Sequence, residues 1–126
     1  MPTRLLSVAV LLTALGGVAY GDDARSDAKA QVEFGIAVAQ RGLWKEAIYR
    51  WERATQIDPT YAAGFNNLAV AYEHEGMLDR AAEAYERALK LEPNNALVRQ
   101  NFELFKEIHD RTNQSNQSQN SQSQTP

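Results

Sequence analysis

The sequence predicts an all-α fold built as a short array of helix pairs, and three observations predict it. Residues 28–61 and 62–95 repeat one 34-residue unit twice in a row, and a fixed period of this length is typical of helical arrays. Within each unit the apolar residues recur at helical spacing. A glycine and a proline stand at the same places in both units, where a turn and a helix end are expected.

Matching positions of the two units carry the same small, charged or turn residues. Other positions keep their character, as Trp51 and Tyr85 do. The identical pairs are Ala28/Ala62, Ala37/Ala71, Gly42/Gly76, Ala47/Ala81, Glu52/Glu86, Arg53/Arg87, Ala54/Ala88 and Pro59/Pro93.

Each unit is predicted to form two helices. In the second unit Phe65, Leu68 and Tyr72 share one face of the first helix, because their spacings are three and four residues. Gly76 falls between the two apolar stripes, where a tight turn needs a small residue or a positive φ. Pro93 follows the second stripe, where a residue without a backbone donor ends a helix.

This order of small and large residues resembles the tetratricopeptide repeat (TPR) family. The second unit matches the family pattern closely, whereas the first departs from it at Gln31 and Val38, where aromatic residues are expected. The matching residues of the second unit are Phe65, Leu68, Ala69, Tyr72, Ala81, Tyr85, Ala88 and Pro93. The resemblance implies a TPR helical-repeat array of two helix-turn-helix repeats plus a C-terminal capping helix, with the first helix of each pair lining a concave groove.

The segments that flank the two repeats are predicted from their composition. Residues 96–111 begin a third unit without a second helix, which predicts a capping helix. We expect four apolar residues of that helix to point inward: Leu97, Leu104, Phe105 and Ile108. Residues 112–126 hold Asn, Gln, Ser and Thr before a final Pro, which predicts disorder. Residues 22–27 are predicted to be a short acidic linker, or alternatively the frayed start of the first helix.

The N-terminus has the pattern of a secretory signal peptide over residues 1–21. Arg4 precedes an apolar run, and Ala19-Tyr20-Gly21 offers small residues where a signal peptidase cleaves. We therefore expect export, to the periplasm or the medium if the source is bacterial, and no membrane insertion after cleavage. The alternative is an uncleaved membrane anchor over residues 5–20.

Composition argues against several classes of function. The chain has 13 Lys and Arg against 16 Asp and Glu, with no basic stripe, so nucleic acid is not an expected partner. With no cysteine it has neither a thiol nucleophile nor a thiolate zinc cluster. His74 and His109 are the only histidines, and no further residue completes a catalytic or metal site around them. The chain is therefore predicted to be no enzyme and to hold no cofactor or metal.

The candidate site is the groove implied by the TPR resemblance. Aliphatic residues recur one repeat apart along it, and so do two asparagines, whose amides can hold the backbone of an extended peptide. The predicted peptide- or partner-binding residues are Asn67, Asn101, Ile36, Val70, Leu104, Asn66 and His74. The alternatives are ordinary interhelix packing for the aliphatic residues and solvated amides for the asparagines.

The function predicted from the sequence is a non-catalytic protein–protein interaction module, an adaptor or scaffold. It would bind a peptide segment or a partner subunit outside the cytoplasm. The alternative is a structural subunit of an envelope assembly, of the secretion or pilus type, or a TPR oligomer formed by self-association.

Overall fold

A computed structural model describes residues 17–123 of the chain, and within this range it contains five α-helices and no strand. The helices are α1 (Gly17–Gln40), α2 (Trp44–Ile57), α3 (Ala62–His74), α4 (Leu78–Leu91) and α5 (Ala96–Gln122). The predicted all-α repeat array is confirmed. No helix in this part of the chain is both long and apolar enough to span a bilayer. The predicted signal peptide lies mostly outside the described residues and stays a prediction.

A glycine in the left-handed region turns the chain within each helix pair. Gly42 has φ +78° between α1 and α2, and Gly76 has φ +74° between α3 and α4. A side chain at either position would be strained, because L-residues rarely adopt positive φ. Both turns therefore have the conformation that the repeat pattern predicted.

The two helix pairs stack through contacts between α2 and α3. The hydroxyl of Tyr72 donates to Glu52 Oε1 across that junction, at 2.6 Å. Within the second pair the hydroxyl of Tyr85 donates to Glu73 Oε2 at 3.0 Å. Burial and the neighbouring carboxylates raise the pKa of both phenols, so each stays a hydrogen-bond donor at neutral pH.

Residues 22–27 lie inside α1, so the linker is wrong and the alternative, that they belong to the first helix, agrees with the structure. The physical reason is local: no proline interrupts this segment, and Arg25 anchors it to the turn between the repeats. Arg25 Nε donates to Asp58 Oδ2, and Arg25 Nη2 donates to Thr60 Oγ1. Burial opposes ionisation of Asp58, but hydrogen bonds from Arg25 and Thr60 and the guanidinium charge outweigh it and hold the pKa of the carboxyl below its ordinary value.

The capping helix α5 packs through a different stripe from the one predicted. Val98, Phe102 and Phe105 face the array, and the ring of Tyr85 lies 5.4 Å from that of Phe102 and 5.6 Å from that of Phe105. Of the four residues predicted to point inward, only Phe105 is buried; Leu97, Leu104 and Ile108 are exposed. Two apolar stripes lie on this helix, and only one has a neighbouring helix to cover it.

The polar tail is helical as far as Gln122, so disorder was the wrong prediction for residues 112–122. Neither glycine nor proline occurs between Ala96 and Gln122 to end the helix. The hydroxyls of Ser115, Ser118 and Ser121 donate to the carbonyl four residues earlier, so these side chains are satisfied within the helix itself.

Candidate protein-binding groove

The first helices of the successive units lie side by side. α1 contacts α3, and α3 is joined to α5 by a hydrogen bond from Asn101 Nδ2 to Asn66 Oδ1, at 3.4 Å. The side of α1, α3 and α5 that carries Ile36, Val70 and Leu104 is here called the groove face. Five of the seven predicted binding residues stand at equivalent repeat positions on these helices: Ile36, Val70, Leu104, Asn67 and Asn101. Asn66 is next to Asn67 in the chain, and His74 is the last residue of α3.

The aliphatic column of the groove face is exposed at its two ends and half-buried in its middle. Ile36 is 40% exposed and Leu104 is 50% exposed, whereas Val70 packs partly against the core. Val70 therefore contributes to interhelix packing as well as to the surface. Ile36 and Leu104 have no such role, and their exposed side chains are available to a partner.

Sequence reasoning missed how far this apolar surface continues along α5. Leu97 is 61% exposed and Ile108 is 58% exposed. Together with Leu104 they form a second stripe on α5, at spacings of seven and four residues. The spacing alone signals a shared face. The burial of the neighbouring stripe is what shows that this one is uncovered.

The asparagines of the groove face do not form a uniform ladder. Asn66 is buried and accepts from Asn101, so that pair bridges α3 and α5. Asn67 is half-buried, and its amide has no hydrogen-bond partner within residues 17–123. Asn67 is thus the asparagine whose donor and acceptor are both free for a ligand.

His74 lies at the edge of the groove face and stacks on Trp44, with ring centroids 4.1 Å apart and planes 18° apart. Its Nδ1 lies 3.6 Å from Glu75 Oε1. The other histidine, His109, stacks on Phe105 instead. Among the described residues no cluster of three or more His, Asp or Glu side chains is arranged to hold a metal ion.

The charges on the groove face are mostly acidic, and two of the carboxylates are engaged. Glu73 accepts from Tyr85, and Glu107 forms an ion pair with Arg111. Glu33 is exposed and has no ion-pair partner in the described part of the chain. A free acid beside uncovered aliphatic side chains favours an apolar partner that is neutral or basic over one that ends in a carboxylate.

Comparison with known proteins places these helix pairs in a family. The model of the Tetratricopeptide repeat family matches residues 62–95, and one described as TPR repeat matches residues 35–76. The chain is 30% identical over 87 residues to the Tetratricopeptide repeat domain-containing protein PYG7, chloroplastic, of Arabidopsis thaliana, covering 69% of this chain and 29% of that protein.

Two bacterial proteins are similar over the same region. One is the Photosystem I assembly protein Ycf3 of Rippkaea orientalis, 28% identical over 82 residues, which are 54% of this chain and 47% of that protein. The other is the Type IV pilus assembly protein PilF of Pseudomonas aeruginosa, 33% identical over 85 residues, which are 67% of this chain and 34% of that protein. The chain spans less than half the length of each of these three relatives.

The paired helices, the left-handed glycine turns and the two family matches agree with one another. The repeat order of small and aromatic residues, which the sequence alone showed, is the order that the family models recognise. The chain belongs to the tetratricopeptide repeat family and is a protein–protein interaction module.

Proposed function

We propose that the protein is a non-catalytic adaptor that holds a segment of another protein on its groove face. The observation that carries this proposal is the uncovered aliphatic surface of α1 and α5. Ile36, Leu97, Leu104 and Ile108 are each at least 40% exposed, although a buried core is available in the same helices. Exposed apolar side chains that share one surface mark protein interaction sites.

The partner segment is expected to supply aliphatic side chains and at least one backbone amide. Its apolar side chains would cover Ile36 and Leu104, and the free amide of Asn67 would pair with its backbone. Asn101 has a different role, because its Nδ2 already donates to Asn66. It holds α3 and α5 in register, so the surface is preorganised and the partner loses most of the conformational entropy on binding.

We also propose that the repeats act outside the cytoplasm. Support comes from the sequence of residues 1–21, with Arg4, an apolar run and the small residues Ala19 and Gly21. N-terminal sequencing of the mature protein from its source cells tests this proposal. A mature N-terminus at Asp22 supports export by cleavage, and retention of Met1 together with cytosolic fractionation contradicts it.

A second candidate function is a permanent subunit of a larger assembly. Two of the relatives are named as assembly proteins, for photosystem I and for the type IV pilus. An assembly subunit would bury the same apolar surface permanently, whereas an adaptor would release its partner. The two candidates are separated by whether the isolated complex dissociates on dilution or with added salt. An adaptor should release its partner, and an assembly subunit should not.

The test of the adaptor is affinity capture with chemical crosslinking, using a double variant, Ile36→Glu/Leu104→Glu. Both side chains are at least 40% exposed, so the variant is expected to fold. The matched control is Tyr49→Glu on α2, which is 52% exposed but lies off the groove face. Far-UV circular dichroism verifies the fold of each variant.

We expect the parent and the Tyr49→Glu variant to capture the same defined protein, and the double variant to lose it by about tenfold or more, as for two central apolar contacts. If the double variant captures the partner as well as the parent does, the groove face is not the binding surface. If all three capture nothing specific, the adaptor proposal itself is wrong.

A further inference from the structure

The 34-residue period shows which surface lacks a covering helix within residues 17–123. Residues 28–40 of α1 have equivalents in α3 at residues 62–74, and the side of α3 that faces α2 is buried. The equivalent side of α1 has no helix before it within residues 17–123. The side chains of this side, here called the α1 end face, are Asp27, Ala30, Phe34 and Ala37, with Arg41 in the turn directly after the helix.

The exposed fractions of equivalent residues on α3 and α1 show that this side of α1 lacks a covering helix. Leu68 on α3 is 5% exposed, whereas its equivalent Phe34 on α1 is 49% exposed. Ala71 is fully buried, whereas its equivalent Ala37 is exposed. Gly64 on this side of α3 lies against Ala54 of α2, so this is the side of α3 that α2 covers. On α1 the same kind of surface faces solvent.

The charged residues at the two ends of the α1 end face indicate which partner is complementary to it. Asp27 and Arg41 lie seven residues before and seven residues after Phe34. In the described part of the chain neither side chain has a hydrogen-bond or ion-pair partner. If a second copy of this helix packs antiparallel across Phe34, each Asp27 lies opposite the Arg41 of the other copy. The pattern is therefore complementary to itself.

We propose that two copies of the chain pair through their α1 end faces around a two-fold axis near Phe34. The aromatic ring of each copy packs against Ala30 and Ala37 of the other, whose small side chains allow close approach of the two helices. Two Asp27–Arg41 ion pairs flank the apolar centre. The guanidinium of Arg50 stacks on one face of the Phe34 ring, 4.3 Å from its centroid, so the other face of the ring is the one that meets the second copy.

This pairing closes on itself, because an isologous contact uses the same patch on both copies. The opposite end of the array presents Gln100 and Glu103, which are polar and exposed, so it offers no apolar surface for further growth. A dimer is expected, not a filament. The groove face lies on a different side of α1 and stays open, so the dimer would display two grooves.

The experiment uses charge exchange in the full chain, read by size-exclusion chromatography with light scattering over a dilution series. The single variants are Asp27→Arg and Arg41→Asp, and the double variant carries both changes in one chain. Each single change places like charges opposite each other in the homodimer, whereas the double variant restores two opposite-charge contacts. Leu104→Glu on the groove face is the matched control.

We expect the parent, the double variant and Leu104→Glu to have twice the chain mass. Each single variant is expected to dimerise about tenfold or more weakly, because like charges are juxtaposed. An equimolar mixture of the two single variants should recover the dimer, since each supplies the charge that the other needs. That recovery also shows that both variants are folded.

Two results would overturn the proposal. One is a parent chain that has the mass of a single copy at every concentration, which would leave the α1 end face for a different helix. The other is a dimer that both single charge variants retain unchanged. Loss of the dimer in Leu104→Glu alone would move self-association to the groove face and would equally contradict pairing through α1.

Discussion

The backbone of Gly35 lies directly against the indole of Trp51, and a Cβ atom at residue 35 would stand 2.3 Å from Trp51 Nε1. The same nitrogen donates to the carbonyl of Val32 at 3.0 Å. In the second repeat the equivalent positions hold Ala69 and the smaller ring of Tyr85. The size of the residue on the first helix thus compensates for the size of the ring on the second.

Replacing Gly35 with alanine is expected to destabilise the fold by about 1–3 kcal/mol, the usual cost of overpacking. The direction of the change in unfolding free energy is informative, because a glycine-to-alanine change at an uncrowded helix position stabilises the fold by about 1 kcal/mol. Urea denaturation followed by circular dichroism measures it. The double change Gly35→Ala/Trp51→Tyr copies the second repeat and should recover most of the loss. A single variant as stable as the parent would show that the indole moves aside at little cost.

Gln31 is the residue of the first repeat that stands where Phe65 stands in the second. Its Oε1 is buried and has no hydrogen-bond partner among the described residues. Gln31→Leu keeps a similar volume and removes the unsatisfied acceptor, so we expect a gain of about 1 kcal/mol. The thermal midpoint and the urea midpoint should both rise. Gln56→Leu, at an exposed site on α2, is the control and should change neither.

The Arg25–Asp58 contact predicts acid sensitivity. The pKa of Asp58 is held below its ordinary value of 3.8. The contact therefore contributes fully above that value and is lost as the pH falls through the lower pKa of the folded state. At neutral pH, Asp58→Asn should cost about 1–2 kcal/mol. The difference from the parent should shrink as the pH falls below 3.8. Asp110→Asn, at an exposed site, is the control. An equal loss of unfolding free energy in that variant would mean that the effect comes from the overall charge and not from the contact with Arg25.

Tyr72 and Tyr85 predict the corresponding behaviour in alkali. Their raised pKa values mean that the unfolded chain ionises first, near the ordinary value of about 10. Stability should be unaffected below that pH and should fall above it. Ultraviolet titration of the phenolates is the measurement. In Tyr72→Phe/Tyr85→Phe the late-titrating phenolates should be missing, whereas Tyr49→Phe, at an exposed site, should leave them in place.

The helical tail is expected to open more easily than the repeats. Asn113 and the serines after it form side-chain hydrogen bonds with residues of α5 itself. Helices without tertiary packing are marginal in water, so hydrogen exchange of residues 113–122 should be faster than that of α3 by orders of magnitude. Truncation after Thr112 should leave the urea midpoint unchanged. Equal protection in both regions would indicate a contact that stabilises the tail.

Much of the array could be predicted because its determinants are local. The left-handed turns at Gly42 and Gly76 and the two helix pairs follow from residue types at fixed spacing. The errors fall at the ends of the chain. Helical spacing shows that Leu97, Leu104 and Ile108 share a face, but whether that face is covered depends on which other helix lies beside it. The linker and the tail were wrong for a related reason, since polar composition alone does not end a helix.

The candidate site was predicted in outline, and its details depend on side-chain geometry. Repeat spacing puts Ile36, Val70 and Leu104 at equivalent positions of three successive first helices. It did not show that Asn101 pairs with Asn66 and leaves Asn67 free. That difference depends on the distance between α3 and α5, which cannot be read from a single sequence. The binding role of these residues stays a prediction until a partner is captured.

The exposed polar residues on the far side of α5 determine where this protein can be lengthened. A copy of residues 62–95 inserted after Tyr61 would meet a repeat surface on each side, and both ends of the array would be unchanged. The same copy joined after Arg111 would have to pack on the exposed polar side of α5 that carries Gln100 and Glu103. We therefore expect an added repeat to be tolerated in the interior of the array and opposed at its C-terminal edge.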